Sequence, residues 1–273
     1  MEALPVTVEV DLAPGLPGLQ LVGLPDAAIQ ESRERVRAAL RNSGFRGPLV
    51  RVIVNLAPAD RRKEGPAFDL PIALALLVAS GQLDPQKLEG LCCAGELGLD
   101  GSLRPCRGIL AIACQAKTQQ AKAFVVPSAN AAEASLVAGL PIVSAQTLGQ
   151  LVEQLRHGIE HNSCPQPTRE QPATTTSPSS ASAPSSAAPL TIQHFARKAL
   201  AIAAAGGHHL LMVGPPGCGK TMLARQLPKI LPPLSDSEAL ELTRLQSIAG
   251  TLGSVTSLVR QRPFRAPHHS TTA

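Results

Sequence analysis

Val6, Val8 and Val10 alternate with Thr7, Glu9 and Asp11. Successive side chains of a strand point to opposite faces, so this alternation predicts a half-buried β-strand. LQLVGL at 19–24 predicts a second strand. From Pro25 to Gly44 the period changes. Ile29, Val36 and Leu40 recur at helical spacing, Asp26 stands where an N-cap acceptor is needed, and Gly44 suits the left-handed stop. LVRVIVNL at 49–56 returns to strand. DLPIALALLVAS at 69–80 is apolar on nearly every side. That predicts a buried helix, with Asp69 as its cap and Pro71 in its first turn. AFVVP at 123–127 and PIVSA at 141–145 predict short buried strands with helical segments between and after them. Together these elements make a mixed α/β domain over residues 1–160.

The pattern then stops. Residues 163–190 are dominated by Ser, Pro, Ala and Thr and hold almost no large apolar side chain. Such a segment cannot bury enough surface to offset its chain entropy, so 161–190 is expected to be a flexible linker. Beyond it, FARKALAIAAAGG at 195–207 predicts a helix, HLLMVG at 209–214 a strand, and a further helix opens near Lys220. LSDSEALELTRL at 234–245 predicts another helix, with Ser235 as its cap and Asp236, Glu238 and Glu241 on a solvated face. Residues 191–273 thus read as the first part of a second α/β domain.

Composition narrows the function. The 273 residues are 44% hydrophobic but include only five Phe, no Trp and no Tyr. The cores must be aliphatic, and a base-stacking nucleic-acid surface is disfavoured. The net charge of +5 is compatible with nucleotide or nucleic-acid partners. There is no basic-flanked apolar leader and no run of about 18 apolar residues, so a cytoplasmic protein without a membrane span is expected. Cys92, Cys93, Cys106, Cys114, Cys164 and Cys218 show no C-x-x-C pair and no zinc spacing, which fits reduced thiols.

The strongest chemical signal is Gly214-Pro215-Pro216-Gly217-Cys218-Gly219-Lys220-Thr221. It fits the phosphate-loop pattern G-x-x-x-x-G-K-S/T between a predicted strand and a predicted helix. Glycines let successive backbone N–H groups turn toward an anion. Lys220 would reach the β- and γ-phosphates of ATP, and the Thr221 hydroxyl would help hold the Mg²⁺ that bridges them. Turnover also needs a carboxylate at the end of a second apolar strand, and nothing after Thr221 fits that pattern. Binding is expected, and hydrolysis by these residues alone is not.

Longer stretches carry a resemblance. GLPGLQLVGLPDAAIQESRERVRAALRNSGF (15–45), RVIVNLAPADRRKEGPAFDLPIALALL (51–77), GELGLDGSLRPCRGIL (95–110), ALAIAAAGGHHLLMVGPPGCGKTMLARQLPKILPPLS (199–235) and RPFRAPHH (262–269) resemble the Mg-chelatase-like AAA+ family typified by the competence protein ComM, also called YifB. The resemblance implies an ATP-driven ring, a homo-hexamer when the AAA+ module is complete, acting as a DNA helicase in branch migration during natural transformation. Family cousins insert Mg²⁺ into porphyrins, so a metal-chelatase motor subunit is the alternative, as is a truncated remnant that binds without hydrolysing.

The N-terminal domain is also similar to the proteolytic domain of Lon-type proteases, whose fold is shared with a small-subunit ribosomal protein. In that resemblance the catalytic Ser falls at Ala67 and the catalytic Lys at Leu110. Neither side chain can attack or deprotonate, so no peptidase activity is expected. Two basic groups remain as candidate DNA contacts: Arg61, Arg62 and Lys63 in one run, and Arg262 with Arg265 in the family-matching segment. His268 and His269, being adjacent, would face opposite sides of an extended chain and are not expected to hold a metal.

Overall fold

The computed structural model describes residues 3–47, 50–158, 190–253 and 257–267. These fall into two compact units. The first takes the N-terminal residues up to 158 together with 242–253 and 257–258, and the second takes 190–241 and 259–267.

The first unit is built on two three-stranded sheets. In one, β1 (Thr7–Ala13) runs antiparallel to β3 (Arg51–Ala57), and β2 (Gly18–Val22) runs parallel to β3 on its other side. Val54 is the shared register point, opposite Val10 on β1 and Leu21 on β2. In the other, β4 (Leu91–Cys93), β7 (Ala123–Pro127) and β8 (Ile142–Ala145) are parallel in the order β4-β7-β8. Every residue of β7 is buried, as expected of a central parallel strand. A short hairpin joins β5 (Glu96–Leu97) to β6 (Leu103–Arg104).

Helix α1 (Ala27–Asn42) begins and ends where the sequence says. The Asp26 carboxylate accepts from the Ile29 N–H at 2.8 Å. At the far end Gly44 has φ +82°, its N–H donates to the Arg41 carbonyl, and the Phe45 N–H donates to the Leu40 carbonyl. That pair of bonds is a Schellman stop, and the left-handed residue it needs is the glycine. Helix α2 (Asp69–Ala79) is buried on nearly all sides, with Leu70, Ile72, Ala73, Leu74, Leu76 and Leu77 in the core. The remaining helices of this unit are α3 (Ile109–Thr118), α4 (Ala131–Ala134) and α5 (Leu148–His157).

Asp69 does not cap α2. It is the first helical residue, after a 3-10 turn at Pro66–Phe68, and its side chain turns away from the helix end. The carboxylate is fully buried. It accepts from the Ser32 hydroxyl, from Arg35 Nε at 2.7 Å and Nη2 at 3.1 Å, and from the Leu97 N–H at 3.2 Å. Residues from α1, α2 and β5 therefore meet at one buried charge.

The second unit holds α6 (Leu190–Gly206), α7 (Lys220–Ala224), α8 (Leu227–Ile230) and the first part of α9 (Asp236–Ala249). Ser235 caps α9 as a capping box. Its hydroxyl accepts from the Glu238 N–H at 3.3 Å, and its own N–H donates to the Glu238 carboxylate at 2.8 Å. The strand expected at 209–214 does not form. Among the described residues this unit contains no strand to pair with it, and Leu211 and Val213 stand 87% and 88% exposed. Residues 242–249 of α9 belong to the first unit. There the Ser247 hydroxyl donates to Glu133, and the Gly108 N–H donates to the Ser247 carbonyl at 3.2 Å.

Removing one member of a buried ion pair strands the other, at a cost of about 3 kcal/mol or more. Asp69→Ala is expected to lower the unfolding free energy of the first unit by about that amount, and Ser32→Ala by about 1 kcal/mol. Urea unfolding followed by circular dichroism measures both. A loss under about 0.5 kcal/mol in Asp69→Ala would show that the buried carboxylate does not hold these elements together.

Candidate functional site: the phosphate loop and the protease-like cleft

The phosphate loop is an irregular turn that leads into α7. Gly217 and Gly219 adopt φ +82° and +86°, a backbone conformation that side chains disfavour. Open space surrounds Gly217, so its need for glycine comes from conformation rather than crowding. A Cβ at Gly214 would meet the Cys218 sulfur at 3.2 Å. The Lys220 ammonium folds back over the loop and donates to the carbonyls of Gly214 and Pro215, both at 2.7 Å, with the Cys218 sulfur 3.4 Å away. Thr221 is exposed. Helix α7 is only five residues long, so it adds little dipole to the site. The anion-binding capacity lies in the loop N–H groups and the Lys220 ammonium. The bent backbone and the adjacent ammonium suit an anion, and the Thr221 side chain is exposed beside them.

The first unit carries a separate cleft of about 1130 Å³. Its walls include Ala67, Phe68, Leu74, Cys93, Glu96 and Cys106. Ala67 lies on this cleft, and its carbonyl accepts from the Gly95 N–H at 3.0 Å. Leu110 does not. It is fully buried at the start of α3, and its N–H donates to the Glu133 carboxylate at 3.0 Å. The two positions matched to the Lon pair thus hold a methyl group in the cleft and an aliphatic side chain in the core. Burial pushes the thiols of Cys93 and Cys106 up to about 12 and raises those of Cys92 and Cys114. A thiol so raised is protonated at neutral pH and is a poor nucleophile.

The candidate cations separate into distinct situations. Arg61 and Arg62 are exposed, and Arg62 lies 3.6 Å from Glu64. Lys63 is only 3% exposed, and its ammonium donates to the Pro58 carbonyl, which takes it out of the surface run. The chain around Lys63 is pinned by paired backbone bonds, Asp26 N–H to the Lys63 carbonyl and Lys63 N–H to the Leu24 carbonyl. Arg262 donates to the Pro232 carbonyl at 2.9 Å and lies 3.8 Å from Glu238. Arg265 is exposed. His268, His269, Cys164 and the linker up to residue 189 lie outside the described residues. Among the described residues no group of His, Cys, Asp and Glu is arranged to hold a metal, and no helix is long and apolar enough to cross a membrane.

Comparison with known proteins matches two stretches of the chain to one family. Residues 8–130 match the profile described as subunit ChlI of Mg-chelatase, and residues 188–273 match the profile of magnesium chelatase, subunit ChlI. A protein of Mycobacterium tuberculosis is 46% identical over 267 residues, 98% of this chain and 51% of its own length. YifB of Escherichia coli is 42% identical over 272 residues, covering 99% of this chain and 51% of its own length. The competence protein ComM of Haemophilus influenzae is 43% identical over 274 residues, 97% and 51% respectively. The chain spans about half the length of these relatives.

Cys218 is exposed, whereas the other described thiols are raised by burial. Maleimide labelling near pH 7.5 is expected to reach Cys218 before Cys92, Cys93, Cys106 or Cys114, as read by peptide mapping. Equal labelling of Cys106 or Cys93 would contradict their burial.

Proposed function

The chain belongs to the Mg-chelatase-like family of ChlI, YifB and ComM, and from that premise we propose that residues 214–221 bind ATP with Mg²⁺ as the nucleotide site of a DNA-directed motor. The observation that carries this reading is the phosphate loop itself. It has the complete residue pattern, left-handed backbone at Gly217 and Gly219, and the Lys220 ammonium held against the loop. Lys220, now on the carbonyls of Gly214 and Pro215, would hold the β- and γ-phosphates of a bound ATP, and the Thr221 hydroxyl would help hold its Mg²⁺.

The name of the Haemophilus relative supports a role in competence, and DNA branch migration in a hexameric cytoplasmic ring is the form we favour. The family profiles bear the name of a metal chelatase, which supports the competing substrate, a porphyrin receiving Mg²⁺. Stimulation of ATP turnover by DNA in the complete assembly separates the two. Residues 222–273 supply no apolar strand ending in acidic residues, so this chain alone binds nucleotide without sustained turnover. The protease-like cleft works without peptide hydrolysis, because Ala67 brings no nucleophile and Leu110 no amine.

Lys220→Ala is expected to abolish binding of a fluorescent ATP analogue to the 273-residue chain, measured by anisotropy in the presence of Mg²⁺. Unchanged affinity would place the nucleotide elsewhere. Casein is expected to remain uncut by the purified chain, and cleavage that survives substitution of both Lys63 and Lys220 would overturn the inactive-protease reading.

A further inference from the structure

Helix α1 carries four arginines, and the fold divides them. Arg35 turns inward to Asp69. Arg33, Arg37 and Arg41 are exposed and spaced four residues apart. At 1.5 Å rise per residue their attachment points climb one flank in steps of about 6 Å, roughly 12 Å in all. Arg33 Nε donates to the Gln30 carbonyl at 2.9 Å, and none of the three belongs to an ion pair among the described residues. Of the two acidic residues on the helix, Glu31 lies 3.7 Å from Arg35, which leaves Glu34 as the nearby negative charge on the exposed side.

Like charges one turn apart repel, so this spacing works against the helix that bears it. Ile29, Val36 and Leu40 on the buried face hold α1 in place despite that repulsion. A ligand that would turn the repulsion into attraction is a regularly spaced polyanion. We propose that Arg33, Arg37 and Arg41 form a nucleic-acid backbone site on the outer flank of α1. The chemistry fits a phosphodiester chain. Guanidinium groups bind phosphate oxygens in a bidentate fork, and about 12 Å is the axial rise of three to four nucleotides of one strand. The flank presents no exposed aromatic ring, so contact is with phosphates and is independent of base sequence. The proposal deepens the DNA-directed reading above, on which it rests for its choice of polyanion. It places a contact in the first unit on residues other than Arg61, Arg62, Arg262 and Arg265.

The test uses the whole 273-residue chain and a fluorescein-labelled 20-base-pair duplex, with anisotropy followed from 50 to 200 mM NaCl. The variant Arg33→Gln/Arg37→Gln/Arg41→Gln is expected to bind at least about tenfold more weakly at 100 mM. Its slope of log affinity against log salt is expected to be shallower by about 2 to 3. Neutralising the ridge removes repulsion, so the variant is expected to melt no lower than the parent. Arg37→Glu alone serves as the second variant should the triple one misfold, and it is expected to weaken binding in the same direction. Unchanged affinity and slope would overturn the site. So would competition by a poly-glutamate peptide as strong as that by unlabelled duplex, which would mean an acidic protein partner instead. Binding of the fluorescent ATP analogue is measured on the same samples. Retained ATP binding with arginine-independent DNA affinity sinks this site alone, and arginine-dependent DNA affinity without ATP binding sinks the nucleotide reading alone.

Discussion

A carboxylate with no access to water sets the geometry of the first unit. Burying the charge of Asp69 costs several kcal/mol unless donors surround it. They come from α1 through Ser32 and Arg35 and from β5 through the Leu97 N–H. The hydrogen bond that Arg35 donates to Asp69 raises the guanidinium above its ordinary value. Two consequences follow from this single contact. The rotation of α1 about its axis is fixed, which sends Arg35 inward and the Arg33, Arg37 and Arg41 flank outward. The turn before α2 is also fixed, because the Leu70 N–H donates to the Gly95 carbonyl and the Gly95 N–H to the Ala67 carbonyl, each at 3.0 Å. Ala67 is held at the cleft wall by its own carbonyl bond from the Gly95 N–H.

Whatever depends on neighbours in sequence was legible before the fold was known. Valine alternation placed β1, and Asp26 with Gly44 placed both ends of α1. Ser235 gave the start of α9. For the helix ends the partner lies within about a turn of the chain. Asp69 was misread because an aspartate before an apolar helical run has the same local pattern whether it caps the helix or ionises inside the core. Its partners are 28 to 37 residues away. Lys63 was misread for a related reason. Its setting in a run of basic residues suggests solvent, but the backbone pairing with Leu24 and Asp26 turns it beneath the surface. The buried pair that matters most has no signal in spacing or composition.

The phosphate loop and its strand show the same division within a few residues. The bend at Gly217 and Gly219 is a local property of glycine backbone and forms here without a sheet beside it. The apolar run at 209–213 has a strand sequence but satisfies its backbone only through a neighbouring strand, which the described residues of this unit do not supply. The glycine turn of the motif therefore forms while the apolar run before it stays unpaired among the described residues. The Lys220 ammonium, with no carboxylate partner among the described ion pairs, is satisfied locally by the loop carbonyls.

Charge links the two units more directly than fold does. In the second unit eight Lys and Arg stand against three acidic residues among those described, all three on α9. Two of the three are engaged locally, Asp236 with Arg260 at 2.8 Å and Glu238 with Arg262 at 3.8 Å. The acidic side chains thus fasten the family-matching segment to the start of α9 and leave Arg197, Lys198, Arg225, Lys229 and Arg265 without them. Surface cations in a monomeric unit are ordinarily interspersed with acids, since unopposed charge destabilises the compact state. The α1 ridge repeats that imbalance on an otherwise different fold. Both units thus keep arginines outside ion pairs among the described residues.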